Sequence, residues 1–345
     1  MSLQVYTHSD IAPLINHRPL ETKVGEALTL LPLADQFSDR LAQARALGAR
    51  FALLGVPEDI GPRANMGRGG ANEGWQAFLL RFLNLQSHPG FDCRQLALVG
   101  ALDLSELQRQ SEQLCNQRPE QLQQLRAMVE RIDEQLAPVV AAIANAGLIP
   151  IVIGGGHNNA YPILKGMHQA LAEPLGALNI DPHSDFRPAE GRHSGNGFRY
   201  AYDGGHLRQY QVLGMHRWKN SADSQQAFAE AGFGCVSYQQ LYQRRAITLE
   251  EAVTQLCQPL AGMPAGLELD LDVINQLPAS AYTNTSLTLQ DVEHAIFLAS
   301  KMLRPAYLHL CEAAPKQHPA GTPAGFSDCG QALSTMVLAF LEGYQ

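Results

Sequence analysis

Three short clusters of acids and histidines, each at the end of an apolar run, constrain this chain more than any other feature. They read Ile153-Gly154-Gly155-Gly156-His157, then Asn179-Ile180-Asp181-Pro182-His183-Ser184-Asp185, then Glu268-Leu269-Asp270-Leu271-Asp272. His157, Asp181, His183, Asp185, Asp270 and Asp272 offer four carboxylates and two imidazoles. Oxygen and nitrogen donors without a thiolate suit Mn²⁺ or another borderline-to-hard divalent ion better than a sulfur-bound zinc. These six ligands are more than one ion needs. Two ions bridged by shared aspartates would use them all, and such a pair can activate one water.

The spacing carries a geometric expectation. In Asp181-x-His183-x-Asp185 the side chains share one face if the segment is still extended, and Asp270 and Asp272 obey the same rule. Leu178 and Ile180 read as the tail of a buried strand, as do Leu267, Leu269 and Leu271. The ligands are therefore expected near the carboxyl ends of strands, where open α/β sheets place their sites. Taken singly, such acids could equally be helix caps or solvated loop charges; three clusters at three strand ends argue against that.

The rest of the chain fits one α/β domain. Candidate strands are 50–56, 95–100, 149–153, 176–180, 211–215, 234–237, 266–272 and 306–311. Candidate helices are 72–83, 120–146, 160–172, 221–231, 249–257, 289–302 and 331–341. Over 120–146, Leu122, Leu125, Val129, Ile132, Leu136, Val139 and Val140 recur every three or four residues, and Gly147 supplies the stop. Alternating helices and continuously apolar strands predict a mostly parallel, eight-stranded sheet covered on both faces. Residues 1–45 are less regular and are expected to pack on the surface of a single domain spanning 46–345.

Composition narrows the function. Of 345 residues, 46% are hydrophobic and 17% charged, an ordinary globular balance. The net charge of −8, without a long run of either sign, gives no footing for nucleic acid or an anionic membrane. No apolar stretch approaches the ~20 residues that span a bilayer, and the first residues lack a signal-peptide pattern. The six cysteines are scattered without metal-knuckle or redox spacing, so reduced thiols in the cytoplasm are expected.

Two glycine-rich loops stand out. Gly154-Gly155-Gly156 lacks the dinucleotide pattern and more simply lets the backbone turn beside a metal. The loop 58–71 follows a strand, carries Arg63, Asn65 and Arg68, and has no phosphate-loop lysine. Its arginines either face solvent on a structural turn or contact a ligand.

At this point the residues resemble the arginase (ureohydrolase) superfamily, which carries a Gly-Gly-x-His, an Asp-x-His-x-Asp and an Asp-x-Asp segment in this order. The resemblance runs from about residue 50 to the C-terminus. It implies a three-layer α/β/α fold, two Mn²⁺ per subunit, a closed homo-oligomer, and hydrolysis of a guanidino or amidino C–N bond in a small-molecule substrate. His157 and Asp185 would serve one ion, His183 and Asp272 the other, with Asp181 and Asp270 bridging.

Departures from arginase point to one branch. Phe198 stands where arginase carries an active-site histidine after its Ser-Gly-Asn loop, here Ser194-Gly195-Asn196. Arg187 replaces an asparagine, and Gly156 an aspartate. Asp-x-His-x-Asp-x-Arg, Gly-Gly-Gly-His, His193-Ser194-Gly195 and the loop Gly61-x-Arg63-x-Asn65-x-Gly67-Arg68 are similar to formimidoylglutamases of histidine degradation. Glu312 matches the family's late strand-end glutamate, while Pro182 and Glu268 suggest a divergent subgroup. The resemblance implies cleavage of N-formimidoyl-L-glutamate to L-glutamate and formamide. Asp185 and Asp272 would then orient the water, and Glu312 would hold the cationic nitrogens. Arg187, Asn196, Arg63, Asn65 and Arg68 would bind substrate, since two carboxylates call for arginine forks. The competing expectations are a structural salt bridge at Arg187, a urea-releasing guanidino-acid, agmatine or arginine hydrolase, and a non-catalytic family member. Loss of a ligand would be expected in the last, because unpaired buried acids are costly.

Overall fold

A computed structural model describes residues 3–345. Its centre is a sheet of ten strands: β1 (Leu3–Val5), β2 (Thr29–Leu30), β3 (Phe51–Gly55), β4 (Leu96–Leu102), β5 (Ile149–Ile153), β6 (Leu175–Ile180), β7 (Leu207–Met215), β8 (Gly234–Ser237), β9 (Ala265–Asp270) and β10 (Tyr307–Cys311). The order is β1-β4-β3-β5-β10-β9-β6-β7-β8, with β2 beside β4. Every pairing is parallel except that of β1 with β4. The eight expected strands are all present. The two additional ones come from the first 45 residues, where they extend the sheet at its β4 edge, and Ile11, Ile15 and Val24 bury against the core.

Side-chain alternation along the strands builds two apolar layers. Phe51 and Leu53 face one, Ala52 and Leu54 the other. The helices Gly74–Phe82, Leu249–Cys257, Leu289–Leu303 and Thr322–Tyr344 cover the first face. Pro119–Asn145, Ala160–Leu171, Gly197–Asp203 and Ala222–Glu230 cover the second. The result is the three-layer arrangement that a parallel sheet requires.

Register then aligns the strand ends. Ile153 pairs with Leu310, Cys311 with Asp270, and Leu269 with Ile180. The chain leaves β5, β10, β9 and β6, four adjacent central strands, at one level. Segments more than 100 residues apart in sequence meet there, at the carboxyl edge of the sheet.

Candidate metal and substrate site

All six expected ligands converge at this edge. His157 follows β5 after the glycine turn. Asp181, His183 and Asp185 follow β6. Asp270 ends β9, and Asp272 lies in the turn after it. A set joining His157, His309 and Cys311 aside, two sets of donor atoms lie within 4.8 Å of one another: His157, Asp181, Asp185 and Asp270, and beside them His183, Asp270 and Asp272. Asp270 belongs to both. His157 Nδ1 stands 2.8 Å from Asp185 Oδ2, 3.1 Å from Asp181 Oδ2 and 3.4 Å from Asp270 Oδ2. His183 Nδ1 is 3.4 Å from the other Asp181 oxygen and 4.0 Å from Asp272 Oδ2.

Backbone amides set the orientation of the carboxylates. The amide of His183 donates to Asp181 Oδ1 (2.6 Å), that of Asp272 to Asp270 Oδ1 (2.7 Å), and that of Ala281 to Asp272 Oδ1 (2.9 Å). Glu58, fully buried, accepts from the amides of Gly61 and Gly156 and from Asn159 Nδ2, which fixes the glycine turn ahead of His157. A Cβ on Gly155, whose φ is +73°, would lie 2.8 Å from Glu58 Oε1, so the turn needs a glycine. Asp185 and Glu312 hold φ at +44° and +65°. Two non-glycine residues in that region mark a site where packing enforces a strained backbone.

The electrostatics of so many buried acids are polarised. Burial alone would raise Asp181, but the His157 and His183 imidazoles outweigh it and hold this carboxyl below the ordinary range. Burial lifts Asp270 well above that range, helped by Asp272 and Asp181, and pushes Asp272 up to about 6. Glu312 is likewise driven up by burial and by Asp270 and Asp272. Neither ring nitrogen of His157, nor Glu312 Oε2, has a hydrogen-bond partner among the described residues. Buried donors and acceptors left this way are costly, and a cluster of carboxylates facing two imidazole nitrogens is relieved by divalent cations. The donor set therefore fits a pair of oxygen- and nitrogen-seeking ions.

A cavity of about 610 Å³ opens over this floor, lined by His183, Asp185, Asp270, Asp272 and Glu312, with Arg187, Asn65 and Lys219 among its walls. Glu312 Oε1 accepts from the His157 amide at 2.8 Å, which leaves Oε2 free to meet a ligand. Arg187 is 48% exposed; its Nη1 donates to Asn65 Oδ1 and its Nη2 to Glu190, both at 2.9 Å. Arg187 thus lines the cavity while holding a salt bridge to Glu190.

Three residues expected at the substrate are not among those lining the cavity. Arg63 spends its fork on Ser111 Oγ and the carbonyls of Ser111 and Leu114, clamping two segments together away from the cavity. Arg68 reaches the Ser280 carbonyl and Gln317 on the outer surface. Asn196 is fully buried, accepting from Arg192 and the His193 amide and donating to the Pro188 and Gly191 carbonyls, so it ties its own loop. Phe198 packs edge-on against His157, ring centroids 5.1 Å apart, and stacks on Tyr210.

Lys219 was not expected. It follows β7, is half-buried, and donates from Nζ to Thr283 Oγ1 at 2.8 Å. Burial lowers its pKa, and Asp272, Asp181 and Asp270 partly restore it. The available signal was its place just beyond a strand end, followed by Asn220 and Ser221, which also line the cavity.

The fold and these adjoining ligand groups define an α/β protein with a candidate two-cation site at the carboxyl edge of a parallel sheet. The arginase family profile matches residues 49–323, and the chain belongs to that family. A formimidoylglutamase of Streptococcus gordonii is 32% identical over 182 residues, covering 50% of this chain and 49% of the relative. One of Streptococcus pyogenes is 30% identical over 207 residues, covering 58% and 55%. The matches thus span about half the length of these curated relatives. Among solved structures, a Trypanosoma cruzi formiminoglutamase with Mn²⁺ superposes with a TM-score of 0.68 at 20% identity, covering 92% of this chain and 99% of the other. A Bacillus subtilis formimidoylglutamase gives 0.70 at 15% identity, covering 95% and 93%. These structures share the fold.

Proposed function

We propose that the protein is a binuclear manganese hydrolase that cleaves the formimidoyl C–N bond of N-formimidoyl-L-glutamate to give L-glutamate and formamide. One observation carries this reading: a single cavity combines a floor of cation ligands and a free glutamate oxygen with two cationic side chains, Arg187 and Lys219, on its walls. An amidine flanked by two carboxylates is complementary to that distribution. The streptococcal relatives bear the name formimidoylglutamase, and the trypanosomal structure with the same fold holds Mn²⁺.

In this reading His157, Asp181, Asp185 and Asp270 hold one ion and His183, Asp181, Asp270 and Asp272 the other. Two divalent ions held there would lower the pKa of a shared water and offer positive charge to the oxygen that the reacting carbon gains. The chain does the rest. Asp185 and Asp272, both on the cavity floor, would orient that water. Glu312 Oε2 takes the cationic amidine nitrogens in a charge-assisted hydrogen bond and holds the carbon over the floor. Arg187, steadied by Asn65, and Lys219 grip the carboxylates towards the opening. Phe198 contributes no acid or base; it packs between His157 and Tyr210.

The test is a substrate panel on Mn²⁺-loaded protein with formamide and urea assayed separately. Formamide from formimidoyl-glutamate, with little urea from agmatine, arginine or guanidino acids, is the expected result. Preferential urea release would move the protein to another branch of the family, and no turnover of any substrate would make it a binding protein.

A further inference from the structure

Beneath His157 lies a polar group that reaches no part of the cavity. Glu268 stands two residues before Asp270 on β9 and therefore faces the same side of the sheet. Its cross-strand partner is His309 on β10, whose Nδ1 lies 2.6 Å from Glu268 Oε2. Two residues earlier, Tyr307 is paired with Gly266. A Cβ at Gly266 would lie 2.0 Å from Tyr307 Cζ, so the glycine makes room for the phenol to cross to Glu268, where its hydroxyl donates to Oε1 at 2.6 Å. All three polar side chains are fully buried. Such a buried network is costly, and His309 Nε2 in it has no partner among the described residues. What it presents upward is Glu268 Oε2, 3.5 Å from His157 Nε2.

A neutral imidazole carries its proton on one nitrogen only. A proton on His157 Nδ1 would occupy the point where Asp181, Asp185 and Asp270 converge, and would aim the Nε2 lone pair at a carboxylate. A proton on Nε2 reverses both. We propose that Glu268 is a positioning residue for His157: its Oε2 is the acceptor that faces Nε2–H and so favours the tautomer whose Nδ1 lone pair faces the ligand carboxylates. Tyr307 and His309 in turn hold Glu268. This rests on the binuclear reading of the site and is independent of the substrate. Carboxylate partners of this kind orient ligating histidines, and their loss weakens metal binding about 10- to 100-fold.

The experiment is Mn²⁺ titration of stripped wild-type, Glu268→Gln and His183→Ala proteins, with melting temperatures recorded stripped and loaded. Glu268→Gln should weaken one ion roughly 10- to 100-fold, and that ion should be the one His183→Ala retains. Its stripped melting temperature should stay close to wild type while the stabilisation by Mn²⁺ shrinks. Unchanged affinity for both ions, or equal loss of both with a lowered stripped melting temperature, overturns the proposal. Should Glu268→Gln fail to fold, Tyr307→Phe, which loosens Glu268 without touching His157, should weaken the same ion selectively; unchanged binding there also overturns it. A wild-type protein that takes up fewer than two ions overturns the binuclear reading itself.

Discussion

Asp181 offers one carboxylate oxygen to His157 and the other to His183, at 3.1 and 3.4 Å. Asp181 thus stands between the two histidines, and Asp270 belongs to both ligand groups. Removing either should uncouple both ions. Asp181→Asn and Asp270→Asn are expected to lose Mn²⁺ cooperatively and to abolish turnover, whereas His183→Ala should keep one ion per chain. Metal analysis after dialysis against a fixed free-ion concentration decides it. The same residual stoichiometry in all three variants would mean that no carboxylate bridges.

That arrangement was largely legible in the sequence, because its information is local. Ligands at i, i+2 and i+4 after an apolar run need only the strand to be a strand. What the sequence hid depends on direction or on distant partners. Arg63 and Arg68 stand in one loop with Asn65, yet only Asn65 lines the cavity, since nothing local says that Arg63 will clamp the Ser111 and Leu114 carbonyls. Lys219 reaches the site from a strand that carries no ligand motif. The strands β1 and β2, three and two residues long, exist only because β4 offers them an edge. The last helix begins nine residues earlier than expected, at Thr322 rather than 331. Its glycines read as breakers but serve close packing: a Cβ at Gly325 would lie 1.9 Å from the Pro315 carbonyl oxygen.

Metal affinity should depend on pH through the imidazoles. Burial alone would lower His183, but Asp181, then Asp272 and Asp185, hold it up at about 9. His157 is also raised well above its ordinary value, against burial, by Cys311 and then by Asp181, Asp185 and Asp270. His183 is therefore protonated at neutral pH when no ion is present, and the ion it would hold must displace that proton. Apparent Mn²⁺ affinity should climb about tenfold per pH unit per proton up to roughly pH 9. The folded value of His183 lies above its unfolded 6.5. Its contribution to the stability of stripped protein is accordingly complete below about 6.5 and disappears as pH rises through about 9. Calorimetric titration in buffers of different ionisation enthalpy counts the protons; a count of zero contradicts this account.

Arg192 should be a stability residue close to the site. It is fully buried, bonded through Nε to Asp133 at 2.7 Å and through Nη2 to the Asn158 carbonyl at 2.7 Å. Its guanidinium lies 4.8 and 4.9 Å from the ring centroids of Tyr161 and Tyr200. Arg192→Ala leaves Asp133 buried and unpaired, which typically costs about 3–5 kcal/mol. Burial already raises Asp133 to about 6 despite the arginine beside it. Chemical denaturation should show the loss, and Arg192→Lys should recover little of it because one ammonium cannot replace the stacked fork. A variant as stable as wild type would place the pair among ornamental contacts.

Specificity should divide between the two cationic walls. Arg187 is half exposed and already shares Glu190, so in the proposed reading a contact with a substrate carboxylate would be partly screened and partly compensated. Arg187→Ala should lower kcat/KM for formimidoyl-glutamate about 10- to 100-fold, the equivalent of roughly 1.4–2.8 kcal/mol, and Arg187→Lys should rescue poorly because a point charge does not reproduce the fork. Lys219 is half-buried, with one donor committed to Thr283 and others free for a ligand. Lys219→Met keeps the apolar stem and removes the charge, so its loss should be at least as large. Mn²⁺ content should change little in either, since neither side chain belongs to a ligand group. If the two residues hold different carboxylates, a mono-carboxylate analogue should be insensitive to one substitution and sensitive to the other. Equal sensitivity to both would place the two cations on a single carboxylate, and normal turnover by both variants would remove the dicarboxylate from the proposed substrate.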